Sequence, residues 1–164
     1  MKSNLLMDFS VDKTKNQIKV TREFSAPLNN VWAAWTQKEL LDQWWAPKPW
    51  KAQTKIHDFK EGGLWLYAML GPEGEEHWAK ADFKSISALK SIVWKDAFCD
   101  ENGKLNTELP GTLWEIKFST AGDLTVVNIE MTHEKLEDLE QIIAMGFKEG
   151  FTLGLENLDV LLAS

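Results

Sequence analysis

Two stretches of the chain follow different hydrophobic periods, and this change limits the possible folds more than any other feature. Between residues 136 and 162, apolar side chains recur every three or four positions, as on one face of an α-helix. Between residues 51 and 131, apolar and polar side chains alternate instead, as in strands with one buried face. Grouped strands followed by one long helix predict an α+β fold, in which an antiparallel sheet packs against that helix.

The first 50 residues predict a hairpin and two short helices. Extended runs over 5–11 and 17–24 are joined by a polar turn, which indicates two paired strands. Three- and four-residue spacings predict helices over 28–35 and 37–45, with Thr36 as the N-cap of the second. The prolines that follow end the helical region.

The alternation in the middle of the chain predicts strands over 52–58, 64–70, 76–86, 89–98, 112–119 and 124–131. In the third of these, the small residues Ala79 and Ala81 share the inward face with large neighbours, which leaves room in the interior. The other inward residues are His77 and Phe83; Trp65, Tyr67 and Met69; Ile92, Trp94, Asp96 and Phe98; Trp114, Ile116 and Phe118; Val127, Ile129 and Met131.

The composition limits the classes of function. The 164 residues contain no linker or repeat, so we predict a single domain over 1–164. A net charge of −7 with scattered lysines argues against nucleic acid as a partner. No stretch approaches the ~18 apolar residues of a membrane span, and the first residues do not form a secretory signal. Cys99 is the single cysteine, so we expect a cytoplasmic protein.

Three glycines stand four residues apart in the predicted C-terminal helix. Gly146, Gly150 and Gly154 therefore fall on one side of a helix over 136–162. Each glycine costs about 1 kcal/mol of helix propensity relative to alanine. We therefore expect another element or a ligand to approach the helix closely along this side.

The sequence contains no motif for metal, cofactor or nucleophilic chemistry. His57, His77 and His133 are far apart and have no ligand-like spacing to cysteines or carboxylates, so we expect no metal and no cofactor. Acidic neighbours disfavour a reactive thiolate at Cys99.

The inward polar residues and the tryptophans indicate a binding cavity. Asp96, Tyr67 and His77 lie on inward strand faces, and Glu149 follows Met145 by one helical turn. A carboxyl group in an apolar cavity can orient a ligand or act as a general acid or base. In the alternative, Asp96 lies in solvent and Glu149 pairs with a lysine. The nine tryptophans predict aromatic cavity walls, although they could equally fill the core.

Several sequence segments resemble one family in the order expected for it. They include residues 20–27 (VTREFSAP), 39–47 (ELLDQWWAP), 62–69 (GGLWLYAM) and 145–151 (MGFKEGF). The chain resembles the activator-of-heat-shock-ATPase homology family, within the START-like superfamily, over residues 17–162. This resemblance implies a helix-grip fold, in which a curved antiparallel sheet wraps around a long C-terminal helix and two short helices follow the first strands. It also implies a pocket between sheet and helix, because superfamily relatives bind lipids, hormones or polyketides.

We therefore predict non-enzymatic binding of a small hydrophobic or aromatic ligand between the sheet and the C-terminal helix. One alternative is a module that binds a chaperone, and another is an enzyme of the cyclase or dehydratase type, as in some superfamily relatives. A monomer and a homodimer both remain open. The predicted cavity residues are Trp45, Trp65, Tyr67, Met69, His77, Phe83, Trp94, Asp96, Trp114, Met145 and Glu149.

Overall fold

The computed structural model describes residues 5–164, which form eight strands and four helices. In chain order these elements are β1 (Met7–Asp12), β2 (Gln17–Phe24), α1 (Leu28–Thr36), α2 (Lys38–Trp44), β3 (Lys51–His57), β4 (Leu64–Leu70), β5 (Glu76–Ser87), β6 (Ser91–Cys99), β7 (Thr112–Ala121), β8 (Leu124–Thr132), α3 (Leu136–Ala144) and α4 (Phe147–Leu162). The predicted α+β class and the order of its elements are confirmed.

All eight strands belong to one antiparallel sheet with the order β1-β2-β8-β7-β6-β5-β4-β3. The strands β3 to β8 form a meander, and the N-terminal hairpin adds to it because β2 pairs with β8. The helices α1 and α2 connect β2 to β3 at the opposite edge of the sheet. This crossing brings the end of α2 beneath the sheet, where it meets α4.

One face of the sheet forms the core, as the period of two predicts. In β7, Trp114, Ile116 and Phe118 are buried, whereas Lys117 between them is exposed. The same alternation buries Val127, Ile129 and Met131 in β8. Helices cover this face, so the sheet has one buried face and one solvent-exposed face.

The prediction that Thr36 caps α2 is wrong. Thr36 is the last residue of α1, and its hydroxyl donates to the carbonyl of Trp32 at 2.8 Å. A threonine hydroxyl inside a helix commonly bonds the carbonyl four residues back, which leaves it unavailable as a cap. Gln37 is the N-cap of α2, and its side chain makes no capping bond.

The predicted helix over 136–162 is two helices, so that range was wrong as a single element. Gly146 has φ +88° and separates α3 from the 16-residue α4. Its amide donates to the carbonyl of Ile143 at 3.0 Å, as expected where a glycine ends a helix in the left-handed conformation. The long C-terminal helix itself is confirmed as α4. None of the helices within residues 5–164 has the length and apolar character that crossing a membrane requires.

The expected close approach occurs at Gly154, the third of the spaced glycines, and not at Gly146 or Gly150. A Cβ on Gly154 would lie 3.3 Å from the carbonyl oxygen of Trp45 and 3.4 Å from that of Trp44. A Cβ on Gly150 would meet only Pro47, at an ordinary 3.8 Å. Gly154 therefore allows the backbone at the end of α2 to pack directly on α4.

Candidate functional site

A cavity of about 260 Å³ lies between the inner face of the sheet and the junction of α3 with α4. Its sheet wall comes from β4 to β7, and includes Tyr67, Met69, Ala79, Phe98 and Trp114. Its helical wall includes Ile142, Met145, Phe147, Gly150 and Phe151, and Trp45 and Met131 also border it. The small residues Ala79 and Gly150 help to keep this space open.

The carboxyl group of Asp96 is the main polar group of the cavity. Its Oδ2 accepts a hydrogen bond from Nε1 of Trp114 at 2.6 Å, and its Oδ1 accepts one from the amide of Thr112 at 3.0 Å. Part of Asp96 stays accessible because it borders the cavity, although the carboxyl lies deep in the protein. Burial raises the pKa of Asp96 to about 7, and the hydrogen bonds from Trp114 and Thr112 oppose this rise.

Two further polar side chains border the same cavity. Tyr67 is buried, and its hydroxyl accepts a hydrogen bond from Nε1 of Trp45 at 3.0 Å. Burial raises the pKa of Tyr67, and the nearby Asp96 carboxylate adds to the rise, so the phenol stays protonated. His133 is buried, with Nε2 2.9 Å from the hydroxyl of Thr112. Burial lowers the pKa of His133, which favours a neutral imidazole.

Trp45 separates the cavity from an aromatic core. Its ring lies 5.1 Å from Trp65, 5.9 Å from Trp94 and 5.8 Å from Trp114, measured between centroids. The adjacent Trp44 is fully buried. The sequence left open whether the tryptophans fill the core or form the walls of the cavity, and the structure contains tryptophans in both roles.

The structure brings together most of the residues predicted for the cavity. Those that border it are Trp45, Tyr67, Met69, His77, Asp96, Trp114 and Met145. Trp65, Phe83 and Trp94 do not border it but lie in the buried core, and the ring of Trp65 stacks on Tyr67 at 4.2 Å. Glu149 is exposed on the first turn of α4.

Two polar residues that border the cavity, Thr112 and His133, were not among those predicted from the sequence. Both continue the inward alternation of their strands, since Thr112 precedes Trp114 by two positions and His133 follows Met131 by two. Extending the period of two by one step at each strand end would have found them. Trp78 also borders the cavity, although the alternation places it on the outer face of the sheet.

A polar groove of about 410 Å³ adjoins the cavity and shares His77, Trp78 and Phe98 with it. Three exposed carboxylates, from Glu76, Asp100 and Glu101, line the groove. The ring of His77 stacks on Trp50 at 5.4 Å, and together they mark the edge between groove and cavity.

The sequence disfavoured both a reactive thiolate at Cys99 and a metal site. Cys99 borders the groove, and burial raises the pKa of its thiol, which disfavours a reactive thiolate. Within residues 5–164, no three histidine, cysteine, aspartate or glutamate side chains lie close enough together to hold a metal ion.

The chain matches the model of one protein family and is similar to several solved structures. The model of the family "Activator of Hsp90 ATPase homolog 1-like protein" matches residues 25–163. A protein structure from Arthrobacter aurescens is 30% identical, with a TM-score of 0.90 over 95% of this chain and 91% of that one. A protein from Mycobacterium smegmatis is 28% identical, with a TM-score of 0.88 over 96% of both chains. A third, from Staphylococcus epidermidis, is 30% identical, with a TM-score of 0.82 over 94% of this chain and 93% of that one.

No curated protein sequence matches the chain significantly. The helix-grip fold predicted from the sequence is confirmed by these neighbours, in which the same arrangement extends over nearly the whole chain. On the family match over residues 25–163, the protein belongs to the activator of Hsp90 ATPase homolog 1-like family.

Proposed function

We propose that the protein binds a small, largely apolar and aromatic ligand in the cavity between the sheet and the α3–α4 junction. The family and its fold support a ligand-binding or chaperone-related role in general. The observation that carries the more specific proposal is the cavity itself, which has aromatic and aliphatic walls and a few polar groups at Tyr67, Asp96, Thr112 and His133. Binding sites for small molecules commonly combine these two features.

The size of the cavity limits the ligand to one or two rings. A dry cavity of ~150 Å³ holds one benzene molecule, so the 260 Å³ here suit a ligand of about 10 to 14 non-hydrogen atoms. Ligands of this size gain on the order of 0.5 kcal/mol per atom, which corresponds to a Kd on the order of 10–100 µM.

The experiment that tests the proposal first looks for a ligand from the cell. The protein is purified from its own host and measured by native mass spectrometry under conditions that keep non-covalent complexes. Any molecule released is then titrated into the empty protein while tryptophan emission is followed. Because Trp45 and Trp114 border the cavity, we expect saturable quenching or a shift of the emission.

A cavity-filling variant shows whether binding occurs at this site. Ala79 lies between Tyr67 and Phe98 in the sheet register, so Ala79→Phe places a phenyl group in the cavity. We expect at least tenfold weaker binding in this variant. The matched control is Ala121→Phe, the same change at an exposed strand end. Equal affinities in the two variants, or indole emission that ignores a panel of one- and two-ring aromatic compounds, would contradict the proposal.

A second candidate function is catalysis of the cyclase or dehydratase type. Such chemistry needs at least two titratable groups at one substrate, and Asp96, Tyr67 and His133 all border the cavity. The test incubates the captured ligand with the protein and follows its mass and structure by liquid chromatography and mass spectrometry. Conversion that Asp96→Asn abolishes favours the enzyme, whereas recovery of unchanged ligand after prolonged incubation favours binding alone.

A further inference from the structure

We infer that the ligand is an organic cation, an aromatic amine whose ammonium group pairs with Asp96 while its rings pack against Trp45 and Trp114. This inference rests on the proposed binding role and names the ligand class for that same cavity. Three independent features carry it: the charges around the cavity, the free acceptor positions of Asp96, and the acidic groove that adjoins the cavity.

The charges that border the cavity favour a cation over an anion. No lysine or arginine of the described chain borders it, and Asp96 is its one carboxyl group. Of the two histidines that border it, His133 is buried and favours the neutral form, whereas His77 lies exposed at the outer edge, stacked on Trp50. A buried carboxylate or phosphate ligand would lack a counter-charge and would face Asp96, and a buried charge without a partner is strongly disfavoured.

Asp96 retains the capacity to bind an ammonium group. An ionised carboxyl group offers about four acceptor positions, and the protein fills two of them, from Trp114 and Thr112. The remaining positions accept from a ligand, and the hydroxyl oxygen of Tyr67 is a further acceptor that borders the same space. The aromatic walls add a second source of attraction, because the face of an indole or phenol attracts a cation.

The acidic groove that adjoins the cavity also favours cations. Glu76, Asp100 and Glu101 line it, whereas none of the described lysines does. Lys55 and Lys104 lie beside it, with Nζ of Lys55 2.8 Å from the carbonyl of Glu101 and the amide of Lys104 bonded to Asp100. The whole chain carries a net charge of −7. A groove lined by carboxylates raises the local concentration of cations and their association rate.

The ionisation of Asp96 links binding of a cation to pH. The titratable groups around it are Tyr67 on β4, His77 at the cavity edge on β5, Lys95 beside it on β6 and His133 after β8, and no titratable group of α4 borders the cavity. Because the pKa of Asp96 is raised to about 7, the carboxyl group is largely protonated at pH 6 in the empty protein. Pairing with an ammonium group requires the carboxylate, so binding at pH 6 releases a proton.

The experiment compares three ligands with the same rings by isothermal titration calorimetry. They are 1-naphthylmethylamine, the alcohol 1-naphthalenemethanol and the acid 1-naphthylacetate. Alkylamines are largely protonated at pH 8. We expect the amine to bind at least tenfold more tightly than the alcohol at pH 8, and the acid to bind most weakly. Asp96→Asn should bring the amine-to-alcohol ratio close to one, whereas Glu149→Gln, the same change at an exposed carboxylate, should keep the wild-type ratio.

If Asp96→Asn does not fold, calorimetry of the wild-type protein still tests whether the ligand is a cation. At pH 6 the binding heat of the amine should depend on the ionisation enthalpy of the buffer, with close to one proton released, and that of the alcohol should not. An alcohol or acid that binds as tightly as the amine, or an amine that releases no proton, overturns the inference and leaves the binding role intact. If none of the three ligands binds at millimolar concentration, both the inference and the proposed function fail.

Discussion

The indole Nε1 of Trp114 donates a 2.6 Å hydrogen bond to Oδ2 of Asp96 across two neighbouring strands. The two residues are diagonal neighbours, because Asp96 on β6 faces Thr112 on β7, two positions before Trp114. A hydrogen bond to a charged acceptor is stronger than one between neutral groups. This bond therefore helps an apolar cavity to hold a carboxyl group that can still ionise near neutral pH.

The stability of the protein should fall as Asp96 ionises. The pKa of Asp96 is about 7 in the folded protein against an ordinary value of 3.8, so the folded state holds more protons between these pH values. The free energy of unfolding therefore decreases as pH rises from about 4 to 7, by about 4 kcal/mol at most from this group. Urea unfolding of the wild type and Asp96→Asn across this range should show the decrease in the wild type alone. Asp123→Asn, on an exposed turn, is the control. Parallel curves for wild type and Asp96→Asn would contradict this account.

Replacing Trp114 by phenylalanine should cost more stability at pH 8 than at pH 5. The change removes the hydrogen bond to Asp96, and loss of a partner from a buried polar group costs about 1–3 kcal/mol, more when that group is charged. It should also raise the pKa of Asp96 further. The measurement is the free energy of unfolding at both pH values. The matched control is Trp94→Phe, at an equally buried neighbour whose indole has no carboxylate acceptor among residues 5–164. A pH-independent loss in both variants would show that only ring volume matters.

The sheet and its buried face could be predicted from sequence because the signal is local. Each inward residue of β7 and β8 lies two positions from the next, so the pattern alone identifies the face. The break at Gly146 could not be predicted in the same way. The apolar spacing of α3 continues into α4 across the glycine, and only its left-handed backbone, φ +88°, separates the two helices.

The cavity could be predicted only in part, because alternation gives the direction of a side chain and not its depth. Trp65 and Tyr67 point to the same side of β4, yet Trp65 lies in the core and Tyr67 borders the cavity. Their difference arises from Trp45, which packs against both rings from the end of α2. Such a contact depends on how α2 crosses beneath the sheet, and the sequence of β4 contains no information on it.

The two inner glycines of α4 should respond differently to alanine. Alanine gains up to about 1 kcal/mol of helix propensity at either position. At Gly150 the new methyl group meets only Pro47, at an ordinary distance, so Gly150→Ala should stabilise the protein. At Gly154 it meets backbone carbonyl oxygens at 3.3 and 3.4 Å, which cannot move without shifting the end of α2. Thermal unfolding should therefore rank Gly150→Ala above Gly154→Ala by about 1 kcal/mol or more. Equal melting temperatures would show that the end of α2 moves freely.

Breaking the buried ion pair between Arg22 and Asp159 should destabilise the protein strongly. Nη2 of Arg22 on β2 lies 2.5 Å from Oδ2 of Asp159 on α4, and the two side chains are only 7% and 17% exposed. Removing one partner from a buried pair costs about 3–5 kcal/mol, because the other charge remains buried. We therefore expect Asp159→Ala to lower the free energy of unfolding by that amount in urea titrations. The control is Glu140→Ala, which breaks the exposed pair with Lys13 and should cost about 1 kcal/mol or less.

The double variant Arg22→Met with Asp159→Leu separates the cost of an unpaired charge from the value of the pair itself. If the loss in Asp159→Ala comes from leaving the Arg22 guanidinium without its partner, replacing both groups by apolar side chains should restore most of the stability. The guanidinium also lies 4.9 Å from the ring centre of Phe24, and a methionine in its place keeps an apolar contact with that ring. A double variant as unstable as Asp159→Ala would instead mean that the pair itself holds α4 against β2, and with it the helical wall of the cavity.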